Sequence, residues 1–430
     1  MSEQRAADAV VTVFREHRGR LLAALTSRFG DLDLAEEVVQ DALEVALVRW
    51  PVDGIPDSPL AWMLTTARRK AVDRIRRDRT YAERLAVLAG ESDRTGPVES
   101  GPRDLPDDRL QLFLTCCHPA LPLEERVALT LRFLAGLSTV EVAAAFLVPV
   151  STMQQRIVRA KRKIVQTRIP FRVPEPDELR TRLPAVLTVV YLVFNEGYAR
   201  AAGADLVRTE LTDEAIRLAR ILHRLLPGEP EVTGLLALLL LTDARRDARV
   251  DADGLPVSLE EQDRRRWDTA LIEEGRRLVV EALAAPVVGP YAVQAAIGAL
   301  HDEAPDVAGT DWPEVVALYD VLRGLAPSPL VELNRAVAVA MRDGPAAGLE
   351  LVDRLADAPQ LRGYHLLPAT RADLLARLGR TTEAAAAYWI ALDQVGNDPE
   401  RAYLQRRLAG LGTGRSGTDE FDGPRRSDPA

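Results

Sequence analysis

Apolar residues recur along most of this chain at spacings of three and four, and no convincing run alternates with the period of two that a half-buried strand needs. The pattern predicts an all-α protein. Met153, Ile157, Ala160 and Ile164 form one narrow stripe of this kind, as they fall on a single face of a helix beginning at Val150. A first helical block is expected over residues 6–89. The stretch GESDRTGPVESGPRDLP, residues 90–106, is rich in Gly, Pro, Ser and charge and reads as a flexible linker. A second block follows over 107–168, and the three prolines of IPFRVPEPDE (Ile169–Glu178) mark a further boundary. Helical periodicity resumes over 175–410, and residues 411–430 read as a disordered tail.

The third block repeats itself weakly. Ala372, Leu375, Leu378, Gly379, Ala384, Tyr388, Ala391 and Pro399 fit the tetratricopeptide pattern of paired helices. An earlier unit, ELNRAVAVAMRDGPAAGLELVDRLADAP, places its turn at Gly344. Small residues at these positions let two helices approach closely and stack on the next pair.

Composition adds a division of labour. The chain of 430 residues is too long for one ordinary core, and 47% apolar with 28% charged residues is globular rather than disordered. Its net charge of −9 is uneven: residues 1–174 carry 26 basic and 23 acidic side chains, and the remainder carries 29 and 41. A weakly basic N-terminal part and an acidic C-terminal part point to different partners. No apolar run reaches the roughly 18 residues of a membrane span, and MSEQRAADAV lacks the apolar core of a secretion signal. Two adjacent cysteines, Cys116 and Cys117, fit a reducing compartment, so a cytoplasmic location with no membrane contact is expected.

The stretch GLSTVEVAAAFLVPVSTMQQRIVRAKRKI (Gly136–Ile164) reads as two short helices around a tight turn. Ser138 with Glu141 has capping-box spacing, Pro149 suits the start of the second helix, and Val140, Val142, Ala143 and Phe146 are expected to pack on the Met153–Ile164 stripe. The opposite face shows Ser151, Gln155, Val158, Arg159 and Arg162, flanked by Gln154 and Arg156. Seven basic residues and no acidic one lie between Val142 and Pro174. A major-groove helix needs this combination, with glutamines that reach base edges and arginines that neutralise phosphates. A solvated basic helix end, complementing only the helix dipole, is the plainer alternative.

Aligned without gaps, Gly136–Ile164 resembles region 4 of bacterial sigma factors of the extracytoplasmic-function group. Gly136, Leu137, Ser138, Glu141, Ala143, Val148, Thr152, Arg156, Arg159, Ala160 and Lys161 carry the match; Leu147 and Pro149 depart from the family's usual glycine and serine. GDLDLAEEVVQDALEVALVRW (Gly30–Trp50) and SPLAWMLTTARRKAVDRIRRDR (Ser58–Arg79) resemble region 2 of the same group, in the family's order. The resemblance implies that Asp33, Glu36, Glu37, Gln40 and Asp41 contact core RNA polymerase. It implies that Trp62, Arg68, Lys70, Arg74, Arg76 and Arg77 meet the −10 element of promoter DNA, with Trp50 nearby and a base-capturing loop at Pro51–Pro59, although Trp62 reads at least as well as a core residue beside Leu60 and Leu64. Val150, Ser151, Gln154, Gln155, Arg156, Arg159, Arg162 and Lys163 are the residues it implies for the −35 element. On charge pattern alone, the acidic stripe is better read as a solvated helix face.

PDDRLQLFLTCCHPAL, YLVFNEGYA, LTDEAIRLARIL, EQDRRRWD and PSPLVELNRAVAVA resemble the subgroup with a long C-terminal helical-repeat extension, which implies a regulatory or partner-binding module. Asn195, Glu196 and Tyr198, and Asp263, Arg264, Arg265 and Trp267, either line a ligand pocket there or brace helices. Cys116, Cys117 and His118 are too close together for a tetrahedral metal site, so a helix-end core and no cofactor or metal are expected. No nucleophile motif or phosphate loop marks an enzyme. Two other readings stay open: a repressor or activator with a helical-repeat effector domain, and a helical-repeat scaffold without specific DNA binding.

Overall fold

The computed structural model describes residues 3–89, 108–146, 148–198 and 207–413. The expected linker at 90–106, Leu147, and the tail beyond 413 lie outside the described residues. In chain order the helices are α1 (Glu3–Phe29), α2 (Leu32–Asp53), α3 (Pro59–Ala89), α4 (Asp108–Cys116), α5 (Leu123–Phe133), α6 (Thr139–Ala145), α7 (Val150–Gln166), α8 (Pro176–Tyr198) and α9 (Thr209–Leu225). They continue as α10 (Pro230–Asp243), α11 (Thr269–Leu283), α12 (Pro290–Glu303), α13 (Trp312–Leu325), α14 (Pro329–Asp343), α15 (Pro345–Asp353), α16 (Leu366–Arg377), α17 (Thr381–Gln394) and α18 (Asp398–Thr413). Among the described residues there is no strand, only an isolated bridge between Val250 and Pro256. The all-α reading holds.

The chain divides into two compact units, the first reaching Gly228 and the second beginning at Glu229. The proline run at Ile169–Glu178 therefore does not separate them. Past it, α8 packs on α5 and α9 packs on α8, because Leu179, Leu183, Val186, Leu187 and Val190 make α8 apolar enough to bury against its neighbours. Arg109 of α4 also pairs with Glu214 of α9 at 2.5 Å, and Arg208 pairs with Glu141 of α6 at 2.7 Å. The start of the acidic part is thus stapled to the helix-turn-helix.

In the second unit consecutive helices pack as antiparallel pairs. Gly344 (φ 97°) and Gly379 (φ 75°) turn α14 into α15 and α16 into α17, in a backbone region that side chains disfavour. Ala372, Leu375, Ala384, Tyr388 and Ala391 are all buried at the seam of the α16–α17 pair. The last helix returns to the loop after α10, where Arg406 meets Asp251 at 3.3 Å. A cavity of about 350 Å³ opens beside it, lined in part by Glu260, His301, Trp312, Tyr319, Tyr403 and Arg407. Helix α18 runs to Thr413, slightly past the expected start of the tail at 411.

Candidate nucleic-acid interface

The helix-turn-helix forms as its sequence dictates. The Ser138 hydroxyl accepts the Glu141 backbone N–H at 3.2 Å, and the Glu141 carboxylate accepts the Ser138 N–H at 2.7 Å, closing the capping box that starts α6. Burial works against the Glu141 charge, but these bonds and Arg208 hold its carboxyl below the usual range. Pro149 is the N-cap of α7 rather than its first residue, and its lack of an N–H costs nothing there. Met153, Ile157, Ala160 and Ile164 are all buried, as their spacing requires. Val142 and Ala143 join them and Phe146 is half-buried, but Val140 points outward at 61% exposure. At about 100° per residue, Val142, Ala143 and Phe146 share one face of α6, and Val140 lies off that face.

On the far side of α7, Ser151, Gln154, Gln155, Val158, Arg159 and Arg162 are exposed. Val150 and Lys163 are half-buried. Arg156 leans back onto α5, pairing with Glu124 at 2.8 Å. The face keeps two glutamines near its start and arginines further along, a donor-rich surface with no carboxylate on it.

In the first block, α3 exposes Arg68, Arg69, Arg76 and Arg77, and half-buries Lys70 and Arg74. Trp50 is buried and Trp62 half-buried, with their rings edge to face at 5.5 Å. The two tryptophans brace α2 against α3, leaving only part of Trp62 for a base to meet. The loop expected at Pro51–Pro59 is shorter, because α2 continues through Pro51 to Asp53 and Gly54 caps it by donating to the Trp50 carbonyl.

The acidic stripe of α2 splits into two parts. Gln40 is exposed and Asp41 half-buried, while Glu37 makes a surface pair with Arg74 at 2.9 Å, a contact worth little. Glu36, only 22% exposed, is instead a hub: one oxygen takes Arg18 at 3.0 Å and Arg132 at 2.7 Å, and the other takes Lys161 at 3.3 Å. Lys161 also bonds Asp33. Although burial works against its charge, Asp33 and Glu36 hold the Lys161 ammonium above its ordinary value. Arg18 is 6% exposed and also reaches the carbonyls of Arg132, Gly136 and Leu137. Sequence reasoning gave no role to Arg18 or Arg132, whose partners lie far along the chain and leave no local signal.

Elsewhere, Cys116 and Cys117 close α4 inside the core, where burial pushes the Cys117 thiol up to about 12. Asn195 and Glu196 of α8 line an apolar cavity of about 280 Å³ beside α5 and α6, and Tyr198 stacks on Phe194 at 5.7 Å. Arg264 donates to the carbonyls of His301 and Ala304 at 2.6 and 2.8 Å, closing the end of α12. Trp267 is flanked by the guanidinium groups of Arg264 and Arg245, 4.4 and 5.3 Å from its ring centre. That cluster braces helices.

Comparison with known proteins accounts for this layout. Residues 13–80 match Sigma-70 region 2, residues 114–164 match Sigma-70 region 4, and residues 182–283 match a family of unknown function, DUF6596. An uncharacterized protein of Rhizobium meliloti (strain 1021), R00370, is 43% identical over 395 residues, 91% of this chain and 93% of that protein. SigK of Mycobacterium bovis (strain BCG / Pasteur 1173P2), an ECF RNA polymerase sigma factor, is 30% identical over 159 residues, 36% of this chain and 84% of its own length. SigI of Mycobacterium tuberculosis (strain CDC 1551 / Oshkosh), a probable ECF RNA polymerase sigma factor, is 32% identical over 176 residues, covering 40% of this chain and 60% of SigI.

The chain belongs to the extracytoplasmic-function sigma factors of RNA polymerase, as a member with a C-terminal extension. It is an alternative sigma factor that directs transcription, and its regions 2 and 4 serve core polymerase and promoter DNA. A repressor needs a helix-turn-helix but not region 2, so that reading falls away, and sigma factors are not enzymes. Among the described residues no helix is long and apolar enough to cross a membrane.

Proposed function

We propose that α7 reads the −35 element through Gln154 and Gln155, with Ser151, Arg156, Arg159, Arg162 and Lys163 on flanking phosphates. The exposed, acid-free face of α7 behind its buried stripe is the observation that carries this reading. Region 2 meets the −10 element through α3, with Arg68, Lys70, Arg74, Arg76 and Arg77 on the backbone and the open part of Trp62 against a base. Asp33, Glu36, Glu37, Gln40 and Asp41 of α2 present an acidic surface to a basic element of core polymerase. The helix pairs after Glu229 form a tetratricopeptide-like module that regulates the sigma unit or binds a partner.

Reconstituted transcription with purified core polymerase tests the assignment. The full chain is expected to direct initiation at promoters whose start sites map a fixed distance downstream of paired elements. Replacing Gln155 by Ala should relax base preference in the −35 element at a cost of about 1–3 kcal/mol. An unchanged preference would remove α7 as the reader. A truncation after Gly228 keeps the first compact unit. Unchanged promoter output and polymerase affinity in cells would remove the regulatory role of the extension.

A further inference from the structure

Region 4 is held from outside itself. Helices α8 and α9 follow its matched residues 114–164, and α9 lies in the stretch that matches the family of unknown function. Both belong to the first compact unit. Helix α8 packs along α5, and α9 is tied to two further helices. Glu214 of α9 is 5% exposed and takes Arg109 of α4 at 2.5 Å and Arg217 of its own helix at 2.9 Å. Arg208, the N-cap residue of α9, donates from Nη1 to Glu141 of α6 at 2.7 Å.

Glu141 divides its two oxygens. Oε2 accepts the Ser138 N–H and closes the capping box, while Oε1 takes Arg208. The capping box fixes where α6 starts but not how α6 is tilted, because both of its groups move with the helix. With only seven residues, α6 owes its stability and orientation to tertiary contacts. Arg208 supplies one from 67 residues away. Its own place is set through its backbone. The Arg208 N–H donates to the Gly197 carbonyl of α8 at 2.7 Å, and the Arg208 carbonyl accepts the Leu211 N–H at 3.1 Å. Gly197 permits that closeness, since a Cβ there would lie 2.9 Å from the Arg208 carbonyl oxygen and 2.8 Å from the Thr212 nitrogen.

We infer that Arg208 is a positioning residue for promoter recognition, through which the α8–α9 pair sets the tilt of α6 and thereby the aim of Gln154 and Gln155 on α7. This rests on α7 as the −35 reader. Arg208 meets no base in this role and acts through the seam that α6 shares with α7. Paired hydrogen bonds to a base edge hold only within about 0.5 Å and 10–20° of their best geometry, so a small change of tilt is read out as lost discrimination between base pairs. The chain beyond region 4 thus begins as part of the promoter reader, and the separate helix pairs start only after Gly228.

Four full-length proteins, each bound to core polymerase, test this: the unaltered chain, Arg208→Ala, Glu141→Gln and the double variant. Glutamine can still close a capping box but lacks the charge that holds Arg208. The quantity read is the ratio of affinities for a promoter with its mapped −35 element intact and for one with that element scrambled. A variant that merely unfolds part of the population lowers both affinities alike and leaves the ratio unchanged. Arg208→Ala and Glu141→Gln are each expected to lower the ratio about tenfold. The double variant should fall no further, because all three lose the same interaction. Affinity for core polymerase and the slope of log affinity against log salt should stay as they are. An unchanged ratio in Arg208→Ala overturns the inference, and so do additive losses in the double variant. A salt slope that falls by about 1 also overturns it, since Arg208 would then be a phosphate contact. If the unaltered protein prefers neither promoter, α7 as the −35 reader fails first and takes the inference with it.

Discussion

Two arginine-rich runs in this chain look alike on paper and do opposite things. QQRIVRAKRK, in α7, leaves Arg159 and Arg162 exposed with no ion-pair partner among the described residues. DRRRW, in the second unit, sends Arg264 inward to two carbonyls and a tryptophan face. The difference lies in what each helix already owns. The stripe of α7 satisfies its packing and frees its charges, whereas the end of α12 has orphan carbonyls that draw an arginine in. A basic run keeps its charges free only where the fold has no other use for them.

Arg264→Ala should break this contrast most strongly. It leaves two carbonyls without their donor and uncovers Trp267, costing about 2–4 kcal/mol in a denaturant titration. Promoter affinity of the folded protein should not change, and a stability loss below about 0.5 kcal/mol would disprove the bracing role. Arg159→Ala with Arg162→Ala should do the reverse. Melting stays put, and the slope of log affinity against log salt falls by about 1 for each phosphate contact removed. An unchanged slope would mean these arginines are only solvated.

The smallest effect is a pH effect. Asp302 is fully buried beside Arg245 at 2.7 Å, and burial outweighs the arginine, raising its carboxyl to about 6. A carboxyl raised on folding contributes stability below its unfolded pKa and loses it as pH rises through the folded value. The protein should therefore lose some stability from this group between about pH 4 and 6. Asp302→Asn, which mimics the protonated form, should remove that fall and change stability at pH 7.5 by no more than about 1 kcal/mol. Parallel melting curves across this range for both proteins would refute it.

How much of this was legible depended on distance along the chain. The stripe of α7 and the capping box of α6 need only neighbours within a dozen residues, so periodicity found them. Val140 was misplaced because it stands two residues before Val142, about 200° around α6, and so faces away from the seam. The loop after Trp50 was misjudged because Pro51 reads as a helix breaker, yet the last turn of α2 tolerates it. The proline run near Ile169 resembled a boundary, while the apolar content of α8 carried the first unit on to Gly228. Glu36 was legible as acidic but not as a hub, since Arg132 and Lys161 lie 96 and 125 residues away from it.

The meeting of Arg406 with Asp251 sets the second unit apart from an open stack of repeats. Stacked helix pairs that touch only their neighbours behave as a one-dimensional chain: they fray from the ends, gain or lose repeats without penalty, and bend like a spring. Here the final helix is fastened near the beginning. An inserted repeat would pull the Arg406–Asp251 pair apart. Beyond nearest-neighbour packing, this unit carries a contact between its last helix and its first loop, and that surface pair adds at most about 1 kcal/mol to closing the stack.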